Sequence, residues 1–105
     1  MKEQEYVELV NVVRAAREVQ TFLWGKLNEG WGLEEWMRMF RKRVVKLDAI
    51  DTQNPYALIE LKKRVLQVGA LAVGLLAILE EGGMVPTHKE GESVSNLSEY
   101  AEHTL

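Results

Sequence analysis

The chain of 105 residues contains no cysteine. This absence excludes a disulfide framework, a zinc site built from thiolates and a cysteine nucleophile, and it fits a reducing compartment. The Gly-x-Ser-x-Gly pattern of a serine nucleophile is missing too. No glycine-rich phosphate loop is present, because Gly30-x-Gly32 and Gly82-Gly83 lack the lysine that such loops carry. These motifs therefore predict no catalytic residue.

No segment is long and apolar enough for us to expect a membrane span. The longest uncharged run, residues 65–79, has fifteen residues, whereas a spanning helix needs about 20. The opening MKEQEYVELV is charged at once and lacks the apolar core of a signal peptide. With a net charge of −3, nothing indicates nucleic acid or an anionic membrane as a partner. We expect a soluble, cytoplasmic protein.

The sequence does contain helical periodicity. Apolar residues recur every three or four positions in residues 2–27, 33–51 and 56–81. The connections between these segments are short, so the pattern predicts an all-α, antiparallel bundle of three main helices. The residues expected to face the core are Leu9, Val13, Ala16, Val19, Leu23 and Leu27 in the first helix, Leu33, Met37, Phe40, Val44 and Leu47 in the second, and Leu58, Leu61, Val65, Val68, Ala72, Leu75 and Leu79 in the third.

The end of the chain has a different composition. Residues 83–105 are polar and rich in serine and glutamate, and they hold both histidines, His88 and His103, which we expect to be solvated. We therefore divide the chain into a helical domain, residues 1–82, and a polar C-terminal tail, residues 83–105. The pattern within residues 95–105 also allows one short helix there.

The third helix is apolar on nearly every side. Glycine inside a helix costs about 1 kcal/mol relative to alanine, so Gly69 and Gly74 indicate the close approach of another helix. Two neighbouring helices cannot cover every face of such a helix. We therefore expect a homo-oligomer that completes the bundle, and the alternative is a central place for this helix within one chain.

Positive charges are concentrated on the second helix and at the start of the third. Residues 38–46 include five cations and no acid, and Lys62, Lys63 and Arg64 follow across the turn. Arginine offers a two-pronged hydrogen-bond donor to phosphate oxygens. The pattern predicts an anion site or, alternatively, a solvated basic face. The candidate anion-binding residues are Arg41, Lys42, Lys46 and Arg64.

Two further groups have more than one interpretation. Asp48, Asp51 and Glu60 lie close to the second turn and are a weaker candidate set for magnesium, which prefers oxygen ligands. Ordinary helix-end and turn roles explain the same residues. Three tryptophans surround the first turn, where they are expected to pack at the helix corner or to stack on a nucleobase. They are Trp24, Trp31 and Trp36.

Several motifs, taken in order, resemble a known family. Arg17-x-x-Gln20-x-x-x-Trp24-Gly25 is followed by Leu33-Glu34-Glu35-Trp36 and by the third-helix run that begins at Glu60-Leu61. Over residues 14–81 the chain is similar to MazG-like proteins of the all-α nucleoside triphosphate pyrophosphohydrolase superfamily, some of which are carried by phages. The resemblance implies an oligomeric helical bundle and magnesium-dependent cleavage between the α and β phosphates.

The metal ligands that the resemblance implies are replaced in this chain. Arg41, Lys42 and Val45 stand where the family has three glutamates on the second helix, and Arg64 stands at the glutamate of the third. Guanidinium and ammonium groups have no lone pair to offer a metal. We therefore expect a catalytically inactive protein that binds a nucleotide or another anion, with no cofactor. The alternatives are an active magnesium-dependent enzyme, and an assembly module that binds an acidic protein partner.

Overall fold

The computed structural model describes residues 1–81 and 97–102 of the chain. Its helices are α1 (Glu3–Glu29), α2 (Leu33–Asp48), α3 (Ala57–Glu80) and the short α4 (Leu97–Glu102). The described ranges contain no strand, so the all-α prediction is confirmed. Helix α4 lies in the predicted polar tail, whereas His88 and His103 fall outside the described residues. None of the described helices combines the length and apolarity that a membrane span requires.

Helix α3 lies between α1 and α2 and packs against both of them. Helices α1 and α2 do not pack along each other, and side chains connect them instead. The guanidinium carbon of Arg17 lies 5.5 Å from the ring centroid of Trp36, and that of Arg43 lies 5.3 Å from the centroid of Trp24. The connection between the outer helices therefore depends on aromatic rings and cations.

The second turn is longer than the sequence pattern predicted, because side chains in the turn bind backbone groups there. The carboxylate of Asp51 accepts a hydrogen bond from the Gln53 N–H at 2.9 Å, and the Asn54 side chain accepts one from the Tyr56 N–H at 2.8 Å. Such side-chain bonds compete with helical hydrogen bonds. Helix α2 ends at Asp48 rather than near residue 51, and the bonds at Gln53 and Tyr56 keep the turn residues out of α3, which begins at Ala57.

The buried core is small. Its apolar members are Trp36, Ala57, Ala70 and Leu71, and Gln20 is buried with them. The expectation that the apolar stripes face the core was wrong for part of each of the three long helices. Arg17, Gln20 and Trp24 contact the other helices, which turns the apolar stripe of α1 partly toward solvent. The expected core residues that remain exposed are Leu9, Val19, Leu23, Met37, Val44, Leu58 and Val65.

The molecule is more extended than a compact chain of its length. Its Cα radius of gyration is 16.0 Å and its principal extents are 53 × 34 × 24 Å. A compact domain of this size has a radius of gyration of about 13 Å. The 27-residue helix α1 is itself about 40 Å long. Large apolar surfaces on α1 and α3 consequently have no covering partner within the described part of the chain.

Candidate functional site

Three tryptophans form one cluster where α1, α2 and the first connection meet. The rings of Trp24 and Trp31 have centroids 6.4 Å apart, and Trp31 contacts Trp36 edge-on at 5.1 Å. Trp36 is fully buried, and its Nε1 has no hydrogen-bond partner among the described residues. Packing at the helix corner, one of the two roles expected for these rings, is therefore what the structure shows.

A chain of hydrogen bonds joins α1 to α3 beside this cluster. The Arg17 guanidinium donates to the Gln20 side-chain oxygen at 3.2 Å. Gln20 then donates through Nε2 to the backbone carbonyl of Gln67 at 3.1 Å, and Arg64 donates to the Gln67 side-chain oxygen at 3.3 Å. Burial lowers the pKa of Arg17. The bond from Gln20 to the Gln67 carbonyl thus connects α1 to α3, and the Gln67 side chain binds the Arg64 guanidinium within α3.

Four cations share one electrostatic environment between α2 and α3. The pKa of Lys46 is lowered, first by the charge of Arg43, then by desolvation, and then by the charges of Lys42 and Arg64. Of the four predicted anion-binding residues, Lys42 and Arg64 are therefore within electrostatic reach of a third, Lys46. We call Lys42, Arg43, Lys46 and Arg64 the basic cluster.

Arg41 is the predicted residue that is not placed in this group. Neighbouring residues on a helix point about 100° apart, and Arg41 is not among the charges that act on Lys46. Arg43 belongs to the basic cluster instead of Arg41. Arg43 and Lys46 are three residues apart and therefore neighbours on the helix surface, so the sequence spacing could have identified Arg43. The Arg43 guanidinium rests against the Trp24 ring, and such cation–π contacts orient the charge.

The basic cluster has no carboxylate partner in the described part of the chain. Ion pairs are formed there by Arg14 with Glu18 at 3.4 Å and by Lys63 with Glu60 at 3.8 Å. Neither pair includes a member of the basic cluster, and no member of the cluster forms an ion pair with any other described residue. The positive charges of the basic cluster are therefore available to bind an anion from solution.

A groove of about 390 Å³ lies between α1 and α3, next to the basic cluster. Its walls are mostly apolar, and Arg43 and Lys63 supply its positive charge while Gln20 and Gln67 supply amides. We call this the cationic groove. Its remaining lining residues are Ala16, Val19, Leu23, Trp24 and Leu66.

The weaker magnesium set is not assembled by the fold. Asp51 accepts the Gln53 N–H within its own turn, and Glu60 pairs with Lys63. Among the residues described, no three histidine, cysteine, aspartate or glutamate side chains could hold one metal ion. Asp48, Asp51 and Glu60 therefore do not converge on a common point.

The lowered pKa of Lys46 gives a testable pH dependence. Because neighbouring cations disfavour its proton, the pKa of Lys46 should lie below the ordinary lysine value, and folding should become more favourable as pH rises through this lowered pKa. Lysine ¹³Cε NMR titration measures this directly. Saturating phosphate should raise the pKa of Lys46, and the Lys2 resonance serves as control. A Lys46 pKa at or above the ordinary lysine value would contradict the shared environment.

Comparison of the chain with protein-family models, with curated proteins and with solved structures finds no match.

Proposed function

We propose that this chain is a non-catalytic, MazG-like binding protein whose basic cluster holds the phosphate group of a nucleotide. The observation that carries the proposal is that the charges of Arg43, Lys42 and Arg64 all act on Lys46, while none of these four cations forms an ion pair among the described residues. Arginine and lysine side chains bind phosphate through charge-assisted hydrogen bonds. Trp24 and Gln67 each contact one arginine of the cluster, which reduces the ordering that binding would require.

The nucleotide part of the proposal rests on the family resemblance. Its motif residues Arg17, Gln20, Trp24 and Trp36 lie together at the junction of the three long helices. In the family that the chain resembles, metal ions bind the triphosphate and neutralise its charge. Here the side chains at the corresponding positions are basic or apolar, so the cations themselves would neutralise the phosphate charge.

We also propose that an oligomer completes an antiparallel bundle. Gln20 contacts Gln67, whereas Arg17, which precedes Gln20, lies against Gly74, which follows Gln67. This order supports opposite directions for α1 and α3, which pack directly on each other, whereas strict alternation along the chain would make them parallel. The exposed apolar residues support a further copy, because contiguous apolar surface on a small protein marks an interaction site.

Two other functions make different predictions. An active pyrophosphohydrolase requires magnesium and releases pyrophosphate, although the described acidic residues form no group of three that could hold a metal. An assembly module without a small ligand would use the basic cluster for an acidic protein partner. Small phosphate compounds would then have little effect on the stability of the chain.

A thermal-unfolding screen at low salt tests the proposal. Inorganic phosphate, pyrophosphate, and nucleoside mono- and triphosphates are each added with and without magnesium, and pyrophosphate release is measured in parallel. A bound anion at a hundredfold excess over its dissociation constant should stabilise the fold by about 2.7 kcal/mol. We expect stabilisation that does not need magnesium and is not accompanied by pyrophosphate release.

Charge reversal identifies the site. Arg64→Glu should abolish the anion-induced rise in melting temperature, and Lys46→Glu should weaken it. Arg14→Glu is the matched control, because Arg14 lies on α1 and pairs with Glu18. An unchanged melting temperature with every phosphate compound would contradict the proposal, and chelator-sensitive pyrophosphate release would establish the enzyme instead.

A further inference from the structure

Helix α1 carries an exposed stripe that no described residue covers. Val12, Val19 and Leu23 are 48%, 58% and 62% exposed, and the smaller Ala15 and Ala16 lie between them on the same side. Residues three or four apart lie on one helix face, so these side chains form a continuous band. Glu5 and Glu8 extend the band toward the N-terminus of α1. We call this band the α1 stripe.

The α1 stripe is symmetric about its centre. If two copies of α1 lie antiparallel with their midpoints between Ala15 and Ala16, Val12 of each copy faces Val19 of the other. Ala15 then faces Ala16, and Glu8 faces Leu23. A two-fold interface requires this reciprocity, since residue i must contact j while j contacts i. The central alanines would allow the two helices to approach closely.

In this antiparallel arrangement, the acidic end of the α1 stripe in one copy lies against positive charge in the other copy. Leu23 lines the cationic groove together with Arg43 and Lys63, so Glu8 of one copy would lie beside those cations of the other. Lys63 has only a 3.8 Å contact with the half-buried Glu60, and Arg43 has no acidic partner among the described residues. The opposite charges would thus meet twice, once at each end of the pair.

We infer that a second copy of this chain occupies the α1 stripe, with the two α1 helices antiparallel and Glu8 of each copy seated at the cationic groove of the other. This inference rests on the proposed oligomer, for which it specifies the interface, and it does not depend on nucleotide binding. Helix α3 also exposes apolar residues, including Leu58, Val65 and Leu76. The acidic residues on the α1 stripe and the cations of the cationic groove favour α1 as the pairing helix.

Sedimentation equilibrium of the full chain at micromolar concentrations provides the test. The wild-type protein should dimerise, and Val12→Asp should be monomeric because it places two charges in the apolar centre. Glu8→Lys alone should raise the dissociation constant by about tenfold or more, since the two-fold axis repeats each repulsive contact. Glu3→Lys is the matched control, because Glu3 lies about 180° around α1 from the stripe and should leave dimerisation unchanged.

Mixing charge-reversed copies gives the most specific result. Glu8→Lys and Arg43→Glu should each dimerise poorly alone, whereas an equimolar mixture should form a heterodimer in which every Glu8–Arg43 position again carries opposite charges. Lys63→Glu replaces Arg43→Glu if circular dichroism shows that the latter is unfolded. A monomeric wild type, a dimer that Val65→Asp disrupts and Val12→Asp does not, or a mixture without recovery would overturn the inference.

Discussion

Replacing Trp36 by alanine should lower the free energy of unfolding by about 3–5 kcal/mol, the usual cost of removing a large buried aromatic side chain. Trp36 is fully buried, and its ring contacts both Trp31 and the Arg17 guanidinium. Few other side chains are buried in this small core, so few neighbouring atoms can move to fill the cavity that the missing Trp36 ring would leave. Because small domains have only about 5–15 kcal/mol of stability, much of the population should be unfolded at moderate temperature.

Urea unfolding followed by circular dichroism measures this loss. Trp36→Phe should cost less, because an aromatic ring remains and the buried Nε1–H, which has no partner among the described residues and whose burial costs about 1–3 kcal/mol, is removed. Val45→Ala on the same helix is the control, since Val45 is exposed and its replacement should change stability by less than about 0.5 kcal/mol. A loss below about 1 kcal/mol for Trp36→Ala would show that this residue is not the centre of the core.

Alanine at the two glycines of α3 should have opposite effects. A Cβ added at Gly69 would have no neighbouring atom within 4 Å, so Gly69→Ala should gain up to about 1 kcal/mol of helix stability. A Cβ at Gly74 would lie 2.5 Å from the guanidinium carbon of Arg17. Arg17 is held by Gln20 and by the Trp36 ring, so it cannot move without losing these contacts.

Gly74→Ala should therefore destabilise the fold by about 1–3 kcal/mol, the range for overpacking a well-filled site. The same urea titration compares both variants with the wild type. Adding Arg17→Ala to Gly74→Ala should remove most of the clash, so the double variant should lose less stability than the two single losses added together. Equal gains from Gly69→Ala and Gly74→Ala would show that Arg17 moves aside without cost.

The sequence was sufficient to locate the helices but not to orient α1. Three-to-four periodicity and the glycine-containing first turn predicted the helix starts and ends to within a few residues. The predicted and observed helix bounds around the second turn differ, and in this turn the Asp51 and Asn54 side chains accept hydrogen bonds from nearby backbone N–H groups. Apolar periodicity could not reveal that Gln20 is buried, since its burial depends on the carbonyl of Gln67, 47 residues away.

The sequence predicted a concentration of positive charge on α2. Which of these cations belong to the candidate site depends on how α2 is rotated about its own axis. Arg41, Lys42 and Arg43 are consecutive, so only the orientation of α2 decides which of them face α3. Trp36 sets that orientation by its burial. Arg43 lies seven residues, close to two turns, beyond Trp36 and so on a similar face. Once a tryptophan anchor is assumed, the spacing alone would favour Arg43 over Arg41.

The hydrogen bond from Gln20 to the Gln67 carbonyl also restricts sliding between helices. Apolar surfaces of similar residues tolerate a shift by one helical turn, about 5.4 Å, because one leucine or valine contact replaces another. A buried amide does not, because such a shift would leave Gln20 without its acceptor and cost about 1–3 kcal/mol. Gln20 therefore selects a single register of α1 on α3, and a leucine at this position should permit alternative alignments.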